Sequence, residues 1–173
     1  EALKTNAQGA LLGDEEYLTA ISFADLSWRA DTSWRITVVI DSIEIRPVVE
    51  YDENFLQFAN DNALSLVQSG VNPQIIDDPD AVDGKALQVT FKNDDAAPGG
   101  RMDVKIDLGG LYQVSEIESV VIRYKIVSGN ASVFWRLLVN DYTDDSGRLT
   151  NAVYSTTDSN GAVMSEYGTI TIT

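Results

Sequence analysis

Apolar and polar residues alternate with a period of two along most of the chain, in segments separated by clusters of Gly, Asn, Asp, Ser and Pro. Successive side chains of a strand point to opposite faces, so this alternation predicts half-buried strands and the breakers predict turns. About nine strands read out in this way: 18–25, 34–46, 53–58, 86–92, 101–108, 116–127, 132–140, 151–156 and 168–173. The turns carry the expected chemistry, as in Ser128-Gly129-Asn130, Asp144-Asp145-Ser146-Gly147 and Asp158-Ser159-Asn160-Gly161. The pattern predicts an all-β protein, an antiparallel β-sandwich of the jelly-roll kind. The helical signal is confined to 59–68, where Leu64 and Val67 have helical spacing and Asp61 stands near a start. A helix that short is marginal alone, so at most a short helical turn is expected. With no internal repeat, low-complexity run or Pro-rich linker, residues 1–173 are expected to form one domain.

Composition narrows the chemistry. The chain holds no cysteine and no histidine, which excludes a disulfide framework, a zinc finger, a thiolate nucleophile and a Ser-His-Asp triad. Oxygen ligands remain, and these suit Ca²⁺ or Mg²⁺ rather than zinc or copper. Twelve Lys+Arg against 27 Asp+Glu give a net charge of −15. That field repels polyphosphate and anionic headgroups, so neither nucleic acid nor a membrane surface is an expected partner. The longest apolar stretches, such as 36–40, fall far short of the ~20 residues that a membrane span needs. The first residues, Glu1-Ala2-Leu3-Lys4, do not read as a signal peptide, and a lack of cysteine does not exclude an extracellular life.

The order of the segments is unusual. Residues 34–45 look like the last strand of a sandwich module, with Arg46-Pro47 as its exit, whereas the stretch from Val48 to Lys92 looks like the beginning of one. The closing Thr169-Ile170-Thr171-Ile172-Thr173 would run naturally into Glu1-Ala2-Leu3. Asp83-Gly84-Lys85-Ala86-Leu87-Gln88-Val89 and the segment 34–45 resemble the first and final blocks of non-catalytic carbohydrate-binding modules with a galactose-binding-like jelly roll. The resemblance covers about half the chain by pattern. The closing block precedes the opening one, which implies a circular permutation: 1–47 resembles the C-terminal part of the usual order and 48–173 the N-terminal part. The termini of sandwich domains often lie close together, which makes such a rearrangement cheap. The rival reading is a fragment that holds the end of one repeat and most of the next.

The resemblance implies a structural Ca²⁺ where the opening strand meets the closing one. The matching positions are Glu50, Asp52 or Glu53, the Gly84-Lys85 region and Asp41. Calcium takes six to eight oxygens from flexible loops, and Asp41 follows three apolar residues, where an unpaired carboxylate would be costly. The alternative is that Asp41 lies exposed on an edge or pairs with Arg35 or Arg46. The run Asp77-Asp78-Pro79-Asp80 and the pair Asp94-Asp95 could in principle supply two carboxylates to a glycoside-acting enzyme. Their place in turns reads instead as solvated loop capping, so no enzyme is expected.

Sugar recognition needs flat aromatic faces and planar polar groups. In 132–140, Val133, Trp135, Leu137 and Val139 share one parity and read as core. Phe134, Arg136, Leu138 and Asn140 share the other, and the mixture reads either as a concave binding face or as a lightly covered outer face. Tyr142 and Tyr154 could line the same groove. The run Trp28-Arg29-Ala30-Asp31-Thr32-Ser33-Trp34 brackets a short polar loop with two tryptophans. Trp28 is the best single platform, with Arg29 and Asp31 as hydroxyl partners and Trp34 as a second contact; the competing reading folds these rings back onto the core. The expectation is a monomeric, non-catalytic module of a larger secreted or cell-surface bacterial protein. Its expected ligand is a neutral polysaccharide of β-glucan, xyloglucan or xylan type. The competing expectations are a structural or adhesion module and a small glycoside-acting enzyme.

Overall fold

The alternating segments fold as strands in a computed structural model, which describes residues 17–25, 35–47, 56–57, 61–67, 72–92, 103–128, 133–139, 152–157 and 163–173. In chain order they are β1 (Tyr17–Asp25), β2 (Arg35–Pro47), β3 (Leu56–Gln57), β4 (Asn72–Asp77), β5 (Lys85–Lys92), β6 (Asp103–Gln113), β7 (Ile117–Ser128), β8 (Val133–Val139), β9 (Ala152–Thr157) and β10 (Gly168–Ile172). All pairings are antiparallel. A four-stranded sheet runs β6-β1-β8-β9, and a six-stranded sheet runs β10-β7-β2-β5-β4 with β3 on β2 beyond the end of β5.

One core joins the inner faces of the two sheets, which makes the fold an all-β sandwich. Leu18, Ile21, Phe23, Ile106, Trp135 and Leu137 enter it from the first sheet, and Val38, Ile40, Leu87, Ile122, Tyr124 and Ile126 from the second. Trp135 is fully buried, as its parity predicts, with its ring centroid 4.8 Å from that of Phe23 and 4.9 Å from that of Tyr124 across the sandwich.

Several bulges interrupt the strict period, and two of them decide which residues face outward. In β2 the register against β7 slips between Ile40 and Ser42, leaving Asp41 without a partner, so the inward positions run Val38, Ile40 and then Ile43, Ile45. In β1 a slip between Leu18 and Ala20 puts Leu18, Ile21 and Phe23 on the core side and Ala20 and Ser22 on the outer side.

The structure departs from the sequence reading at β4 and β6. β4 went unread because Asn72-Pro73-Gln74 looks like a turn; proline is tolerated there because β4 is an edge strand. β6 extends through Gly109-Gly110 to Gln113, past the end expected at residue 108. The weak helical signal corresponds to a 3₁₀ helix, Asp61–Leu66, whose Leu64 and Leu66 pack against the core. Among the described residues no helix is long and apolar enough to cross a membrane.

Candidate functional site

In β7 the sequence Ile122-Arg123-Tyr124-Lys125-Ile126 turns its apolar residues into the core, so Arg123 and Lys125 must share the outer face of the six-stranded sheet. Two cations side by side on one face of an acidic chain call for carboxylates, and the fold supplies them from two other elements. The bulge of β2 presents Asp41, and the connection from β4 to β5 presents Asp78.

The connection is a tight turn. Asp78 N–H donates to Gly84 O (3.0 Å), Ala81 N–H to Asp78 O (3.1 Å), and Gly84 N–H to Ala81 O (3.1 Å). Gly84 closes it with φ +72°, a left-handed conformation that glycine adopts without strain. Asp78 Oδ1 accepts from Asp80 N–H at 3.0 Å, the side-chain mimic of a backbone turn.

From this turn the network spreads over the sheet. Asp78 Oδ2 accepts from the Tyr167 hydroxyl at 2.9 Å and lies 2.6 Å from Lys125 Nζ. Asp41 Oδ1 accepts from Val82 N–H at 2.9 Å, and Asp41 Oδ2 is ion-paired with Arg123. The Arg123 guanidinium also donates to Asp80 O at 3.3 Å. The Tyr167 ring has Arg123 4.4 Å and Lys125 4.3 Å from its centroid, both in cation–π range. Beneath lies a small apolar cluster of Val39, Ala81 and Ala86, with Ile76 and Tyr167 packed on it.

The electrostatics follow from this geometry. Burial is the largest single influence on Asp78 and pushes its pKa up, but Lys125, the Asp80 N–H and the Tyr167 hydroxyl together outweigh it and hold the carboxyl below its ordinary value. Burial, followed by the hydrogen bond to Asp78, pushes the Tyr167 hydroxyl far above the usual tyrosine range. Each buried carboxylate thus faces a cation and the phenol stays protonated, so the cluster offers neither a free base nor a nucleophile. It pins the 78–84 turn and the segment before β10 onto the sheet.

This arrangement corrects the reading of Asp41 and of the acidic turn. β2 lies inside the sheet, and Asp41, 2% exposed, pairs with Arg123; Arg46 pairs instead with Glu44 at 3.0 Å, and the side chain of Arg35 lies outside the described residues. As placed, Asp41 does not fit a calcium ligand, because both oxygens accept N–H donors and its counter-charge is a guanidinium. Glu50, Asp52 and Glu53 lie outside the described residues, among which no group of three or more acidic side chains could hold a metal. Asp77, Asp80 and Asp83 are exposed as loop capping predicts, but Asp78 is buried. Arg123, Lys125 and Tyr167 were missed. The usable signals were the paired cations on one parity of β7 and the break in spacing from Ile40 to Ile43.

The expected sugar-binding positions converge only in part. Trp28, Arg29, Asp31, Trp34, Asn140 and Tyr142 lie outside the described residues. Arg136 sits on the outer face of the four-stranded sheet, opposite Ser22 of β1 and Ser155 of β9, and is only 5% exposed. Ala20, Ser22 and Leu138 on this face are buried too. Ser155, rather than Tyr154, occupies the position opposite Arg136; Tyr154 stands in register with the core residue Leu137 across a bulge, and its side chain lies outside the described residues.

At the β1–β6 end of the same face stands an aromatic that the sequence reading passed over. Tyr17 precedes the core residue Leu18 and so faces outward, in register with Gln113 of β6. It is 38% exposed, and its hydroxyl accepts from Gln113 Nε2 at 3.1 Å. Compared with known protein families, curated proteins and solved structures, the chain matches none.

Proposed function

We propose that the chain is a non-catalytic module that binds a neutral polysaccharide through the outer face of the four-stranded sheet. The observation that carries this reading is the pairing of Tyr17 and Gln113, an exposed ring beside a planar amide. A ring of this kind stacks on the C–H face of a pyranose, and the amide has one donor left for a hydroxyl. Trp28, Trp34, Arg29, Asn140, Tyr142 and Tyr154 extend the proposed site on sequence grounds, with Arg136 at its floor. Affinity stays modest, because each hydroxyl exchanges water for protein at little net gain. The charge of −15 favours neutral polymers such as β-glucan, xyloglucan or xylan over uronic-acid polymers.

The same reading includes a jelly-roll winding in permuted order, in a secreted or cell-surface bacterial protein. It draws support from the strand succession, since β5, β6, β7 and β8 fall alternately in the second and first sheets. The closing strand β2 also lies directly beside the opening strand β5, from Arg35 opposite Lys92 to Ile40 opposite Leu87. A variant that starts at Val48, ends at Pro47 and links Thr173 to Glu1 should then fold with a similar melting temperature; failure to fold would count against the permutation.

Affinity electrophoresis against a panel of neutral polysaccharides tests the binding reading. Retardation by at least one polymer is expected, reduced by Tyr17→Ala and by Trp28→Ala. Unchanged mobility in every gel would instead favour a structural or adhesion module, a reading supported by the burial of Ser22 and Arg136 on this face. Calcium is tested separately. A melting temperature lowered by EDTA places an ion in the fold, whereas unchanged melting leaves Arg123 as the counter-charge of Asp41.

A further inference from the structure

The six-stranded sheet ends on two unlike edges. β4 carries Pro73, which has no N–H to donate, and closes with the exposed Asp77; both blunt an edge against pairing. β10 has neither device. From Thr169 the strand and the residue that follows it read Thr169-Ile170-Thr171-Ile172-Thr173, without a charged side chain or proline and wholly of β-branched residues, which favour strands. Among the described residues β7 is the one strand that pairs with it.

This run reads the same in both directions about Thr171. Residues directly opposite in an antiparallel pair lie on the same face of the sheet. A two-fold axis at Thr171 therefore sets Thr171 against itself, Ile170 against Ile172 and Thr169 against Thr173 of the second copy. The faces match as well. Thr169, Thr171 and Thr173 are exposed, whereas Ile172 is buried in the core and Ile170 packs partly against it. The pairing would align threonines along the outer face and isoleucines along the inner one, with no side chain changing sides.

We propose that two copies of the chain associate edge to edge through β10, antiparallel and centred on Thr171. The contact is isologous and closes on itself. A strand of five residues buries far less than the roughly 1,200 Å² of a stable interface, so the association is weak. Two net charges of −15 oppose it, and salt strengthens it by screening them. The proposal is independent of the polysaccharide reading.

Because the chain holds no cysteine, a single introduced thiol reports position without interference. The Thr171→Cys variant, oxidised in about 0.5 M NaCl and run on a non-reducing gel, should form several-fold more cross-linked dimer than Asp83→Cys, an exposed control in the β4–β5 turn. Thr169→Cys should cross-link poorly alone and well when mixed with Thr173→Cys. Equal cross-linking at 171 and 83, or no gain on mixing, overturns the proposal. Sedimentation supplies a second arm without disulfides. Thr171→Lys and Thr171→Glu should each be monomeric, because like charges meet on the axis, and their mixture should recover the dimer. A mixture that sediments as monomer at concentrations where the parent chain associates overturns it too.

Discussion

The two outer faces of the sandwich handle buried polar groups in opposite ways. On the six-stranded sheet Asp41, Asp78, Arg123, Lys125 and Tyr167 answer one another through short contacts, and the charges balance locally. On the four-stranded sheet the Ser22 hydroxyl is buried without a hydrogen-bond partner, close in register to the buried Arg136. A satisfied network costs little to bury and holds its neighbours in place, whereas an unsatisfied group carries its full desolvation penalty. The first face is therefore built for fixation. The second leaves one hydroxyl, that of Ser22, buried without such an answer among the described residues.

The largest expected effect comes from breaking the fixed face. Arg123→Ala leaves the Asp41 carboxylate buried without its cation and should cost about 3 kcal/mol, read from urea unfolding. The double variant Asp41→Ala/Arg123→Ala should cost less than the sum of the two single variants, and strict additivity would mean the pair does not act as a unit. Tyr167→Phe removes one of the donors to Asp78 and should cost about 1 kcal/mol, because Lys125 and the Asp80 N–H remain.

Acid probes the same face more gently. The folded-state pKa of Asp78 is lowered, so in acid the unfolded chain binds the proton more readily than the folded one. Its stabilising contribution is complete above the unfolded carboxylate value of about 3.9 and is lost as pH falls through the lower folded value. Asp78→Asn should flatten the fall in urea midpoint below about pH 4, and a slope identical to the parent's would show that other carboxylates control it. The smallest effect belongs to the second face. Ser22→Ala deletes a hydroxyl without a partner and should change stability by no more than about 0.5 kcal/mol, in either direction. A loss above 1 kcal/mol would erase the contrast between the faces.

Most of the strand layout was legible because burial on one face imposes the period of two directly. Trp135 could be assigned to the core from Val133 and Leu137 alone. β4 was hidden because an edge strand tolerates the proline that an inner strand rejects. Tyr17 was hidden for a different reason. It adjoins Leu18 just ahead of a bulge, and which side of the sheet it occupies depends on the β1–β6 register, a long-range pairing that composition does not encode. The polar cluster joins residues 41, 78, 123, 125 and 167, and its members recognise one another only once β2 and β7 are neighbours. One member was visible all the same, since a buried carboxylate after Ile40 requires a partner even when the partner cannot be named.

The bulge in β2 gives the chain a point where its length is negotiable. Omit Asp41, and Val38, Ile40, Ile43 and Ile45 would fall into unbroken alternation, while Ile40, Ser42 and Ile43 already face the consecutive residues Tyr124, Arg123 and Ile122. The inner layer is therefore blind to the gain or loss of this one codon, and the partner of Arg123 could have been inserted into a finished sandwich in a single step.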